Sequence, residues 1–394
     1  MTGHLAAARD LLRRHPLVDG HNDLAWEIRR RFDSDLRRVD LAAPVAGTHT
    51  DLPRLRRGGV GGQFWSVYVP GTLQGDAAVA TTLEQVDLVH RMIRRHPDHL
   101  ELALGAEDVE RAFSRGRIAS LLGAEGGHCI ANSLGVLRML HVLGVRYLTL
   151  THNVNVPWAD SATDVPAAGG LSAFGGEVVR EMNRLGMLVD LSHVASTTAR
   201  DVLGIAEAPV VFSHSGARAV CDSPRNVPDD LLRRLPANGG VCMVTFVPDF
   251  VSPRCSAWVL ELRAEIERRG LDPKDAGVRA TVGAEYAVDH PRPRASLAEV
   301  ADHIEHVRTV AGIDHVGIGG DYDGTSDVPD GLEDVACYPA LLAELLDRGW
   351  SRDECVRLAG GNVLRVLREA EAMSRSLSAR REPSTASIGD LDRA

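Results

Sequence analysis

Lysine is almost missing from this chain. Of its 394 residues 44 are basic, yet Lys274 is the only lysine and the others are arginine. A Schiff-base mechanism therefore has one candidate residue, and so does a metal bridge built on a carboxylated lysine. The six cysteines (Cys129, Cys221, Cys242, Cys255, Cys337, Cys355) never form a C-x-x-C pair. Scattered through a chain of this size, they are expected as reduced thiols. No stretch is apolar for long enough to span a bilayer. The first twenty residues, MTGHLAAARDLLRRHPLVDG, have no continuous apolar run of the secretory kind. The closing SRSLSARREPSTASIGDLDRA is polar and is not a lipid-anchor signal. A cytoplasmic protein without a membrane partner is the expectation. There is no internal repeat.

The composition that remains is 44% hydrophobic and 25% charged, with a net charge of −10. That balance suits a soluble globular protein and gives no long-range attraction to nucleic acid. Eight short apolar, β-branched runs recur along the chain: LVDGHND (17–23), GGQFWSVYV (61–69), IASLLGAEG (118–126), VRYLTLTH (145–152), MLVDLSH (187–193), PVVFSHS (209–215), GGVCMVTFV (239–247) and HVGIGGDYDG (315–324). Segments such as TTLEQVDLVHRMIRRH (81–96) and LSAFGGEVVREMNRLG (171–186) separate them, with apolar residues three and four apart. Near-continuous apolar strands alternating with helices predict a parallel sheet covered by helices. Eight such units fit a closed (β/α)8 TIM barrel, an α/β fold, better than an open sheet. One barrel is expected over 1–373. An insertion rich in arginine and proline follows strand 7 at about 248–296, with its own helical stretch SAWVLELRAEIERRG (256–270). The polar tail from 374 to 394 is expected to be disordered.

Residues able to bind metal stand at the ends of these strands: His21-Asn22-Asp23 on the first, Glu125 on the third, His152 on the fourth. His193 ends the fifth, His214 the sixth and Asp321 the eighth. In a barrel those ends converge on the face where active sites are built. His21 and Asp23 are two apart on an extended segment, so both side chains point one way. Together they offer imidazole and carboxylate to one ion; zinc suits that set, and manganese and iron also accept it. Two metals close together need a bridging anion, and with Lys274 far from any strand end Glu125 is the natural bridge. Each polar residue alone could simply cap a strand; the constellation is what carries the metal reading.

The motifs DGHND (19–23), GGQFWSVYVP (61–70), EGG (125–127), LTLTHNVNVPWAD (148–160), VDLSH (189–193), FSHSGARAVCDSPRNVPDD (212–230), GGDYDG (319–324) and GGNVLRVL (360–367) make the chain resemble the renal or membrane dipeptidase family, a branch of the amidohydrolase-like metal barrels. The match runs from about 15 to 370. The resemblance implies two zinc ions, one held by His21, Asp23 and Glu125, the other by Glu125, His193 and His214. It makes His152 a substrate-binding histidine near the carbonyl oxygen, Arg225 the receptor of the substrate carboxylate, and Asp321 the proton-transfer residue. The implied activity is hydrolysis of dipeptides with a free C-terminal carboxylate, L-D dipeptides included, by a hydroxide shared between the metals. A homodimer is expected from the same resemblance, with a small dipeptide as the substrate partner.

Several neighbours compete for attention. Asp323 shares a strand face with Asp321 and is the rival acid. His303 and His306, three apart on the predicted helix 296–312, read as a solvated face. His128 reads as a loop contact, and Trp26 as packing or pocket lining. The alternative within enzymes is a metal hydrolase of another amide or ester, such as a β-lactam or lactone. A catalytically silent binding barrel would have lost a ligand or Asp321, and none is missing.

Overall fold

The computed structural model describes residues 2–392. Its centre is a closed ring of eight parallel strands: β1 (Leu17–Asn22), β2 (Val60–Tyr68), β3 (Ile118–Glu125), β4 (Val145–Thr149), β5 (Leu188–Asp190), β6 (Val211–Phe212), β7 (Val241–Val244) and β8 (Val316–Ile318). Each pairs with the next, as in Gly62↔Ala119 between β2 and β3, and Asp19↔Ile318 joins β1 to β8 and closes the barrel. Seven lie inside the apolar runs identified above, and β2 begins one residue before its run. A three-residue strand, Leu100–Leu102, pairs with the start of β3 and stands outside the ring. It is too short and too charged (LEL) to show as an apolar run.

The strands are almost wholly buried because helices cover the ring. Helix ends follow local chemistry. Ser172 caps Ala173–Leu185, which stops at Gly186 in the left-handed region (φ 76°). Ser296 and Glu299 form a reciprocal capping box at the start of Leu297–Ala311. Inside the barrel Gly123 is required by space. A Cβ at Gly123 would overlap the ring of Tyr147, which fills the interior from β4.

The insertion after β7 is present as helices Pro248–Val251, Pro253–Arg268 and Ala276–Asp289. The segment expected as a disordered tail from 374 begins inside the last long helix, Asn362–Ser378, and several described residues beyond it are hydrogen-bonded to the barrel helices. Asp392 accepts from Ser172 Oγ at 2.5 Å and from Phe174 N at 3.0 Å, and Ser384 O accepts from Arg138 Nη1 at 2.9 Å. An acid at a helix N-terminus is favoured by the exposed N–H groups there, a partnership that composition cannot reveal. No described helix is long and apolar enough to cross a membrane, and all six cysteines are free.

Candidate active site

The carboxyl ends of the strands carry the polar residues, and buried acids pin those ends. Asp19 on β1 accepts from His21 N (2.9 Å) and Gln63 Nε2 (2.8 Å) with one oxygen, and from Gly320 N (2.8 Å) and Tyr338 OH (2.6 Å) with the other. It thereby ties β1 to β2 and to the segment after β8. That segment runs on beside β1, with Asp321 N donating to His21 O (3.2 Å) and Asp23 N to Tyr322 O (2.9 Å). Asp321 is thus brought beside His21 and Asp23.

Glu125, the last residue of β3, divides its carboxylate between two groups. Oε2 lies 3.6 Å from His21 Nε2, which in turn is 3.2 Å from Asp23 Oδ2 and 4.0 Å from Asp321 Oδ1. Oε1 lies 3.0 Å from His193 Nε2 and 3.5 Å from His214 Nε2, and those two nitrogens are 3.0 Å apart. His152 stacks at a tilt on His193 with ring centroids 4.4 Å apart.

Two hydrogen-bond relays orient the imidazoles. Tyr147 OH donates to Gly20 O (3.2 Å) and so accepts from His21 Nδ1 (2.8 Å). Ser213 Oγ donates to Asp190 Oδ2 (2.6 Å) and lies 2.8 Å from His214 Nδ1. In both cases Nδ1 carries a proton and Nε2 faces Glu125, so Nε2 is the nitrogen a metal would use. The tautomers are assigned from these partners.

The electrostatics ask for a cation. Burial disfavours charge on His21, but the carboxylates of Glu125, Asp23 and Asp321 outweigh it and push the imidazole up to about 10. A metal would compete with that proton for the same lone pair. Burial, partly offset by His21, raises Glu125 to about 7, and burial likewise drives Asp321 well above the usual carboxylate range. His193 and His214 fall well below the ordinary imidazole value through burial and neighbouring positive groups. Glu125, Asp23 and Asp321 are buried together around His21, so added positive charge relieves them. Asp23 Oδ1 is buried without a hydrogen-bond partner. The donors fall into three overlapping sets whose ligand atoms lie within 4.8 Å of one another: His21–Glu125–His214, Glu125–His152–His193 and His21–Asp23–Asp321. Imidazole nitrogen and carboxylate oxygen at such spacing fit a pair of divalent ions.

A cavity of about 540 Å³ opens over this cluster. Arg225 lines it, 5% exposed, with Nη2 donating to His214 O (3.3 Å) and with Nε and Nη1 unpartnered. Burial lowers its pKa to about 10, and its Cζ stands 5.2 Å over the Phe250 ring. His152, also lining the cavity, is held neutral: burial first and the Arg225 charge next push it down to about 3. Trp26 meets Tyr68 edge-on at 4.9 Å on the same wall.

Of the eight residues singled out in the sequence, Asp23, Glu125, His152, His193, Arg225 and Asp321 line the cavity, and His21 and His214 reach the same cluster through Glu125. Asp323 lines it too, but its Oδ1 accepts from His49 N (2.6 Å), an anchoring role for a loop. His303 departs from the expected solvated face: it is fully buried, with Nδ1 accepting from Ala217 N (2.8 Å) and Nε2 facing Val251 O (3.1 Å). One side of that helix is core, because the loop after β6 folds onto it. His306 pairs with Asp229 at 2.8 Å, and His128 faces Val69 O at 3.1 Å. Sequence reading missed Asp19, Asp190, Tyr147, His49 and Phe250. An acid inside an otherwise apolar strand is a signal that would have found the first two.

The pattern of the membrane dipeptidases (peptidase family M19) matches residues 5–381. Dipeptidase 3 of Mus musculus is 43% identical over 366 residues, covering 92% of this chain, which spans 66% of that relative's own length. Dipeptidase aclJ of Aspergillus oryzae is 44% identical over 388 residues, covering 95% of this chain and 83% of its own. Among solved structures, the probable dipeptidase PvdM of Pseudomonas aeruginosa has a TM-score of 0.80 at 25% identity, covering 94% of this chain and 99% of that one. The dipeptidase AC, described as a metallo peptidase, has a TM-score of 0.74 at 25% identity, covering 90% and 98%.

Proposed function

Because the chain belongs to the membrane dipeptidase family, we propose that it is a binuclear zinc dipeptidase acting on dipeptides with a free C-terminal carboxylate, L-D dipeptides included. The observation that carries the reading is the divided carboxylate of Glu125, with Oε2 toward His21 and Asp23 and Oε1 toward His193 and His214. In this proposal Glu125 is shared by both ions, the first completed by His21 and Asp23 and the second by His193 and His214. When bound, the metal pair makes hydroxide available from water near neutral pH and polarises the scissile carbonyl.

The protein's own groups do the rest. Arg225 has two unpartnered guanidinium nitrogens in a desolvated wall, and a carboxylate satisfies them in a bidentate pair. Fixing that end of the substrate sets the distance to the cleaved bond and favours a short peptide. His152, neutral across the physiological range, donates a hydrogen bond to the carbonyl oxygen as negative charge grows on it. Asp321, its proton affinity raised by burial, takes the proton released at the attack and delivers it to the departing amine. A homodimer is part of the proposal, and so is a cytoplasmic location, which the free thiols support.

The test is a dipeptide against its C-terminal amide, in wild type and in Arg225→Ala. Wild type should discriminate strongly against the amide, and the variant should lose most of that preference, a charge-assisted contact worth roughly 2–5 kcal/mol. Equal turnover of acid and amide by wild type refutes the assignment. Faster opening of a lactam or lactone than of any dipeptide favours the other hydrolase reading.

A further inference from the structure

The chain's one lysine holds the tip of the insertion. Lys274 Nζ lies 3.2 Å from Asp164 Oδ1. Asp164 belongs to the loop after β4, which also carries His152. Its Oδ2 accepts from Asn155 N (3.1 Å), Asn155 Oδ1 accepts from Ser161 N (2.7 Å), and Ser161 Oγ donates to His152 O (2.6 Å). The root of the insertion joins the loops after β7 and β8, which also reach the cavity. There Arg292 donates to Asp249 (3.1 Å) and pairs with Asp327. Asp249 precedes Phe250 and Asp327 follows Ser326, both of which line the cavity. The Arg292 Cζ also stands 5.2 Å over the ring of Trp258.

Between root and tip, helices Pro253–Arg268 and Ala276–Asp289 pack on each other through their own cluster of Trp258, Leu262, Ile266 and Val282, separate from the barrel core. Moving the pair as one body leaves that cluster intact. Pro291 and Pro293 stiffen the strand of chain behind it.

We propose that this helical hairpin is a hinged cover for the substrate cavity, rooted at Arg292 and latched to the His152 loop by Lys274 and Asp164, and that it selects peptides by length. The inference rests on the dipeptidase reading. A peptide held at Arg225 by its carboxylate can lengthen only at its amino end, which a latched cover would oppose. The latch is weak enough to open at each turnover, since its side chains are 62% and 22% exposed.

The experiment compares wild type, Lys274→Glu and Lys274→Arg by amide hydrogen exchange and by turnover of a dipeptide and the tripeptide made by extending its amino end. Lys274→Glu should speed exchange in 253–289 and 153–165 and raise the tripeptide-to-dipeptide ratio of kcat/KM about two- to five-fold, the range an exposed ion pair supports. Lys274→Arg should stay near wild type, and about 0.5 M salt should move wild type toward Lys274→Glu. Unchanged exchange in Lys274→Glu overturns the cover. Faster exchange with an unchanged ratio overturns length selection. Exchange that responds while no form cleaves either peptide removes the dipeptidase reading, and length selection with it, while upholding the hinge.

Discussion

The hydroxyl of Tyr147 stands 2.8 Å from His21 Nδ1, reaching across the barrel interior from β4 to β1. Because it donates its own proton to Gly20 O, it can only accept from the imidazole, and it leaves Nε2 free for a metal. Tyr147→Phe keeps the ring that fills the space beside Gly123 and removes that acceptor. Metal affinity should fall about 10- to 100-fold, as for other losses of a partner behind a ligating histidine. Competition with a chelator reads it, and an unchanged affinity would show that the tautomer is fixed by other means.

Stoichiometry follows from the divided carboxylate of Glu125. Purified protein should hold about two zinc ions per chain, lose activity on chelation and regain it when zinc is restored. Glu125→Gln should weaken both sites, whereas His21→Ala should mainly empty one. Elemental analysis of the three proteins decides it; an active wild type with a single tight metal is incompatible with the binuclear reading.

Asp321 is within ligand reach, at 4.0 Å from His21 Nε2, yet the proposal gives it the proton. Asp321→Asn preserves size and cannot pass a proton on, so metal content should hold while kcat falls by roughly 10²–10⁴. The fall should appear in kcat/KM as well. Loss of a zinc ion in that variant would make Asp321 a ligand instead. Asp323→Asn is the comparison, and if it is the crippled variant the two carboxyls have been assigned the wrong way round.

Burial pushes Asp323 up to about 7 despite the hydrogen bonds it accepts. Its unfolded value is about 3.9. A carboxyl raised on folding favours the fold while protonated, so this contribution is complete below about pH 4 and lost as the pH rises through about 7. Metal-free wild type should therefore lose stability relative to Asp323→Asn between those limits, by an amount on the order of a few kcal/mol. Urea unfolding at several pH values measures it; parallel profiles for the two proteins would contradict the raised value.

Much of this was readable before any coordinates. The eight apolar runs became the eight barrel strands because a strand buried on both faces advertises itself by unbroken hydrophobicity. His21, Glu125, His193 and His214 stood out for the same reason, as polar residues where such runs end. Tyr147 did not, because an aromatic in a strand looks like packing, and its partner lies 126 positions away. Ser213 and Asp190 needed the pairing of β5 with β6 before they could form a relay to His214. His49 sits in the long excursion after β1, whose length was plain but whose return to the cavity mouth was not. The contacts of Asp392 depend on a helix end supplied by a distant stretch of chain, which no local pattern reports.

Gly123 places a limit on this architecture that concerns volume alone. It lies two residues before Glu125 on the same strand face, under the Tyr147 ring whose hydroxyl steadies His21. A single added methyl at 123 would have to be absorbed by the tyrosine, and the tyrosine cannot shift without taking the imidazole's support with it. His21 and Glu125 thus share one steric foundation in the barrel floor. A substitution carrying neither charge nor donor atom could there disturb coordination as surely as the loss of a ligand.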